Sequence, residues 1–140
     1  MNYKAENDDC TLEFQVAEFR VLIVERDFKS SDSLRSCLAN LSPVVKIASI
    51  NSVEAARHYL EDDKFHIIFV DINIDKSKGI KSIEDVRKYA GDTPIIAITG
   101  QIEDITVDEF NEAGASILLP KEAISPKVVQ KTLDALGVIY

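Results

Sequence analysis

Cysteine is nearly absent. The 140 residues hold two, Cys10 and Cys37. They form neither a CxxC pair nor the closely spaced set of a disulfide framework, so a disulfide scaffold is excluded and a reducing, cytoplasmic setting is the expectation. Histidine is as scarce: His58 and His66 have no second His or Cys at ligand spacing, and each reads as a structural or exposed side chain. Basic residues are outnumbered 16 to 24 by acidic ones, a formal charge of −8. That balance argues against direct contact with nucleic acid or an anionic membrane, since both require clustered Lys and Arg. No apolar stretch approaches the ~20 residues needed to cross a bilayer, and no signal-like segment follows Met1. Internal repeats and low-complexity tracts are missing. So are a P-loop, a GxGxxG fingerprint and any Gly, Ser and Thr run that would cradle a cofactor phosphate.

What is present is 46% apolar residues, enough for one domain with a core in a chain too short for two. Residues 1–19 read as an N-terminal tail or linker and residues 20–140 as the domain. Within the lead-in, Leu12, Phe14 and Val16 alternate as in a strand, while Leu12, Val16 and Phe19 fit a helical stripe, so periodicity does not decide. The central stretch is FHIIFVDIN, Phe65 to Asn73, whose apolar run from Ile67 to Val70 has no polar alternation. Such a run predicts a strand covered on both faces, with Asp71 at its carboxyl end.

Similar runs recur along the chain. Arg20 to Val24 precedes Glu25, Arg26 and Asp27, and a helix follows with Leu34, Cys37, Leu38 and Leu41 at helical spacing until Pro43. Val44 to Ala48 makes the next strand. Ser52 caps a helix whose inner face is Val53, Ala56, Tyr59 and Leu60. After Asp71, the loop to Gly79 leads into a helix with Ile80, Ile83 and Val86 inward. Pro94 opens a strand ending at Thr99; Thr106 and Glu109 have capping-box spacing, and Gly114 suits a left-handed helix cap. Ile117 to Leu119 run up to Pro120 and Lys121, and Ser125 with Pro126 starts a last helix carrying Val128, Val129, Leu133 and Leu136. Five strands alternating with five helices imply an α/β fold, a parallel sheet between helical layers.

In open sheets of this kind ligands bind at the carboxyl edge of the strands. That edge collects Glu25, Arg26, Asp27, Asp71, Thr99 and Lys121. A carboxylate can accept a phosphoryl group as a nucleophile, carboxylates can hold Mg²⁺ against phosphate oxygens, and an ammonium and a hydroxyl can hold the remaining oxygens.

These residues carry a close resemblance to the response-regulator receiver domain of the chemotaxis-regulator type. RVLIVERD falls at the acidic loop, FVDIN puts Asp71 at the phosphoacceptor with Gly79 downstream, PIIAITG puts Thr99 at the signalling hydroxyl, and AGASILLPK puts Lys121 at the phosphate-pairing lysine. The resemblance implies a flavodoxin-like, doubly wound five-stranded sheet of order 2-1-3-4-5. It implies phosphotransfer from a sensor histidine kinase or phosphotransfer protein, catalysed by the domain itself, as is its dephosphorylation, with no conventional enzyme activity. It further implies Mg²⁺ held by Glu25, Asp71 and the backbone carbonyl of Asn73, with Asp27 as a further candidate. Asn73 and Gln101 match positions that tune the lifetime of the phosphoryl group. The expected output surface is the fourth helix, fifth strand and fifth helix, through which a homodimer could also form.

The chain departs from that pattern at three positions. Arg26 stands where a second acidic residue is usual and is expected to weaken Mg²⁺ binding, either facing solvent or pairing with Asp71 or Glu25 in place of a metal. Leu118 stands where an aromatic residue normally couples to the threonine, and Glu122 where a proline is usual after the lysine. A pseudo-receiver, an interaction module with impaired phosphorylation because of Arg26, is therefore the alternative function. A haloacid-dehalogenase-like phosphatase is disfavoured, because the second aspartate it needs is Asn73 here.

Overall fold

The computed structural model describes residues 18–41, 45–100, 106–138 and 140. The apolar run around Phe69 forms β3 (Ile67–Asp71), and each of its residues is buried. Removing Ile67, Ile68, Phe69 and Val70 from water contributes about 1.5–3 kcal/mol each, which makes β3 the anchor of the sheet. On one side it pairs with β1 (Phe19–Val24), on the other with β4 (Ile95–Thr99). The edges are β2 (Val45–Ile50) and β5 (Ile117–Pro120). All pairings are parallel, and the order is β2-β1-β3-β4-β5, as the resemblance to receiver domains implies.

Among the described residues four helices link the strands, α1 (Phe28–Ala39), α2 (Val53–Asp62), α3 (Lys81–Ala90) and α4 (Val107–Ala113), and α5 (Pro126–Ala135) follows β5. A short 3₁₀ turn, Lys121–Ala123, precedes α5. Because strand side chains alternate between faces, the sheet feeds two apolar layers. Val21, Ile23, Ile67, Phe69, Ile96 and Ile98 pack against Leu34, Cys37 and Leu38 of α1 and Val129 and Leu133 of α5. On the other face, Leu22, Val24, Ile68, Val70, Ile95 and Ala97 meet Ala56 of α2, Ile83 and Val86 of α3, and Phe110 and Ala113 of α4.

The local signals are realised at most helix ends. The Ser52 side chain accepts from Ala55 N–H, Ser125 from Val128 N–H, and Thr106 and Glu109 form the reciprocal capping box. Gly114 takes the left-handed conformation, φ 118°, beyond α4. Some boundaries differ from the sequence reading. β1 begins at Phe19, one residue ahead of the expected domain start, because Phe19 is buried and paired with Val45. β2 runs on to Ile50, since parallel pairing with β1 continues to Val24. Leu41 lies beyond α1, which ends at its C-cap Asn40, and Ile80 is the N-cap residue of α3. Pro43 and the lead-in positions Leu12, Phe14 and Val16 lie outside the described residues. No described helix is long and apolar enough to cross a membrane.

Candidate functional site

Strand register builds the site. Val24 pairs with Val70, so the next residues, Glu25 and Asp71, leave two central strands side by side. Asp71 is opposite Ile98 and Thr99 is opposite Pro120, which brings Thr99 and Lys121 to the same edge. Backbone hydrogen bonds pin the first loop, with Glu25 N–H donating to Ile50 C=O at 2.9 Å. Glu25, Asp71 and Thr99 are each only 4% exposed, an unusual state for two carboxylates unless a cation or donors serve them.

Lys121 is that cation. Its Nζ lies 2.8 Å from Glu25 Oε1 and 3.2 Å from Asp71 Oδ2. The contact with Asp71 is a hydrogen bond donated by the ammonium, whereas Glu25 Oε1 is buried without an aligned donor. Backbone amides hold the other two oxygens: Asn73 N–H donates to Asp71 Oδ1 and Asp27 N–H donates to Glu25 Oε2, both at 3.0 Å. Burial, then the Asp71 carboxylate beside it, pushes the Glu25 carboxyl above its ordinary range, against the opposing pull of Lys121 and the Asp27 amide. Burial works against the Lys121 ammonium, but Glu25 and Asp71 outweigh it and hold the lysine above its ordinary value. Two buried carboxylates thus share one ammonium, and the cluster carries an excess negative charge.

A second cation fits that excess. Mg²⁺ commonly takes one or two carboxylates and completes its shell with water and phosphate oxygens. Glu25 Oε1 has unfilled acceptor capacity, Asp71 lies beside it, and among the described residues no backbone N–H donates to the Asn73 carbonyl. The fit is minimal, since no group of three acidic, His or Cys side chains gathers for a metal among the described residues. Asp27, the further candidate ligand, is used otherwise: its Oδ2 accepts from Ser30 N–H at 3.2 Å and Ser30 Oγ at 2.7 Å as the N-cap of α1.

Arg26 turns away from this cluster. It is exposed, makes no ion pair with Glu25 or Asp71 among the described residues, and lines a groove of about 700 Å³ with Asn51, Ser52, Ile74, Asp75 and Lys78. There its charge joins the stronger hydrogen bonds from Ser77 in lowering the Asp75 carboxyl below its ordinary range. Of its two expected placements, the outward one is realised. Leu118 is half-buried, opposite Ala97, and packs into the layer that contains Phe110. Gln101 lies outside the described residues. His66 is structural, its Nδ1 accepting from Arg20 N–H at 2.9 Å, and His58 is exposed. Sequence reasoning missed the contact between Glu25 and Lys121, the shortest in the cluster; no local pattern links residues that far apart in the chain.

Comparisons with known proteins agree with this architecture. Residues 21–133 match the family described as the response regulator receiver domain. Chemotaxis protein CheY4 of Vibrio cholerae superposes with a TM-score of 0.72 at 21% identity, over 85% of this chain and 98% of that one. A two-component response regulator from Clostridium difficile gives a TM-score of 0.73 at 18% identity, over 85% of this chain and 95% of that one. Among curated relatives, the transcription factor SKN7 of Candida albicans is 28% identical over 106 residues, 74% of this chain. The probable serine/threonine-protein kinase roco8 of Dictyostelium discoideum is 32% identical over 83 residues, 58% of this chain. The matches span only 18% and 4% of those relatives' lengths. With the family matched across most of its length and the strand order in agreement, the chain belongs to the response-regulator receiver domains of two-component signalling.

Proposed function

We propose that Asp71 accepts a phosphoryl group from a phosphohistidine of a sensor kinase or phosphotransfer protein, and that the domain comprises residues 19–140. A carboxylate oxygen of Asp71 forms the new bond to phosphorus as the bond to the histidine nitrogen breaks, and the imidazole leaves with the electron pair. Lys121 passes from the carboxylates to the phosphoryl oxygens, and the Thr99 hydroxyl donates to another of them. Glu25, Asp71 and the Asn73 carbonyl would hold Mg²⁺, which when bound would supply positive charge against the charge that develops on the phosphoryl oxygens. Gln101 and Asn73, flanking the reaction centre in sequence, set how readily water removes the phosphoryl group. The observation that carries this reading is one ammonium placed between two buried carboxylates at the carboxyl edge of the sheet.

The second reading, a pseudo-receiver that binds a partner without being phosphorylated, is favoured by Arg26, which leaves only two carboxylates in the cluster. Intact-mass analysis after incubation with a small phosphodonor, with and without Mg²⁺, separates the two. Gain of one phosphoryl group that disappears in Asp71→Ala supports the working receiver. No gain in the native chain, but gain in Arg26→Asp, favours the pseudo-receiver.

A further inference from the structure

Helix α4 is held very unequally at its two ends. Its first turn is exposed from Thr106 to Glu109, and among the described residues the bonds at its start are those of the helix's own capping box. Its last turn is buried through Phe110, Ala113 and the following Ala115, and a side chain from another helix grips it. Arg87 of α3 donates from Nη2 to Gly114 C=O at 2.7 Å and from Nη1 to Gly91 C=O at 2.6 Å. One guanidinium thus satisfies carbonyls just past the ends of two helices, where carbonyls lack helical donors and cations are favoured. The fork geometry matters, because a lysine has one point charge and no fixed pair of donors. Packing is as specific as the hydrogen bonding: a Cβ on Gly114 would sit 2.8 Å from Arg87 Nε and 2.9 Å from Arg87 Cγ. Gly114, at φ 118°, therefore serves both as the left-handed cap and as the bed for the arginine stem.

We propose that Arg87 is a positioning residue that makes the Gly114 end of α4 a fixed pivot, so that the helix responds to events at the carboxyl edge by moving its Thr106 end. The pivot itself does not depend on phosphorylation. Its use in signalling rests on the Asp71 reading.

The test is amide hydrogen exchange on the whole chain, referenced to global stability from urea unfolding of the same variants. The Gly114 and Ala115 amides donate to Phe110 C=O and report the last turn; Glu109 N–H, which donates to Thr106 Oγ1, reports the first. In Arg87→Met, which keeps an apolar stem over Gly114 but removes the donors, protection at Gly114 and Ala115 is expected to fall about tenfold more than global stability accounts for. Protection at Glu109 is expected to change only with global stability. Arg87→Lys is expected to recover part of the loss. Loss that follows global stability alike at both ends, or no loss at Gly114 and Ala115, would overturn the pivot. In the native chain treated with phosphodonor, shifts confined to the Thr106 end support its use in signalling. Equal displacement of both ends refutes that use, while a chain that takes up no phosphate refutes the Asp71 reading and leaves the pivot result standing.

Discussion

Replacing Lys121 by Met keeps the aliphatic stem and removes the ammonium that serves both Glu25 and Asp71. Deleting one partner of a fully buried ion pair costs about 3–5 kcal/mol, because a charge is left without compensation. Here the carboxylate side chains are 1% and 6% exposed but that of Lys121 is 23% exposed, so water already reaches the ammonium and about 2 kcal/mol is the better figure. With a urea dependence of about 1–3 kcal/mol per molar, the unfolding midpoint drops by roughly 1 M. The loss depends on pH with a definite sign. Without the lysine, the pull that lowers the Glu25 value is gone, so Glu25 binds a proton still more tightly in the folded chain than in the unfolded one. The penalty is therefore larger at mildly alkaline than at mildly acidic pH, because Glu25, whose value is already raised by burial, takes up a proton as the pH falls. If the two carboxylates bind Mg²⁺, the ion at ~100 times its dissociation constant returns about 2.7 kcal/mol, and the variant, with no ammonium competing for them, should reach that gain at a lower Mg²⁺ concentration than the native chain. In the native chain the raised Lys121 value has the complementary sign: its contribution is complete below the ordinary 10.5 and disappears as pH rises through the folded value. Urea titrations at the two pH values, with and without Mg²⁺, decide the matter. An equal loss at both, insensitive to Mg²⁺, would show that Lys121 acts by packing and that the charge argument is wrong.

Glu25→Gln tests the same cluster from the opposite side. Because burial and Asp71 raise the Glu25 value above 4.5, its charged form opposes folding, an effect absent below that pH and growing as pH rises through the folded value. The glutamine variant should therefore unfold at higher urea than the native chain at neutral pH and at the same urea near the ordinary carboxylate range, while binding Mg²⁺ more weakly by calorimetry. A variant that is less stable at neutral pH would contradict the assignment. Phe28, 80% exposed at the start of α1, presents a large apolar side chain on the edge that carries Asp71. Phe28→Ala is expected to slow transfer from a phosphohistidine protein by roughly tenfold, a loss of about 1.4 kcal/mol, and to leave uptake from a small phosphodonor unchanged in the mass assay. Slowing of both would place Phe28 in the fold rather than in the partner interface.

How far the molecule could be read from its sequence follows from how local each signal is. The apolar run at Phe69 could only be a doubly covered strand, and Thr106 with Glu109, Ser125 with Pro126, and Gly114 each act within one helical turn, so all were legible. The positions of Asp71, Thr99 and Lys121 at strand ends were legible too, since they depend only on where an apolar run stops. Contacts set by tertiary geometry were not. The approach of Lys121 to Glu25 needs the strand register, and the outward course of Arg26 depends on a groove built by three loops. That Asp27 in particular caps α1 was only partly legible, because a carboxylate beside an acidic loop carries both signals, cap and ligand. The grip of Arg87 on Gly114, 27 residues away, leaves no periodic trace, since its partner atoms are backbone carbonyls common to every residue.

The strand β5 joins the chemical end of this molecule to its mechanical end. Lys121 follows Pro120, which lies opposite Thr99, and two residues before it Leu118 lies opposite Ala97. Leu118 also packs into the same apolar layer as Phe110 of α4. A leucine cannot pass a hydroxyl's movement through a polar contact, so displacement of Lys121 towards a phosphoryl group must travel by packing and by the paired backbones of β4 and β5. Close-packed layers transmit such shifts because they lack the free volume to absorb them. With Arg87 gripping the last turn of α4 at Gly114, a shift arriving at Phe110 would, on the proposed pivot, be read at the exposed Thr106 end. If Asp71 is phosphorylated and the pivot proposed for Arg87 holds, the output of this receiver is the tilt of one helix about a guanidinium clamp, driven by where the Lys121 ammonium sits.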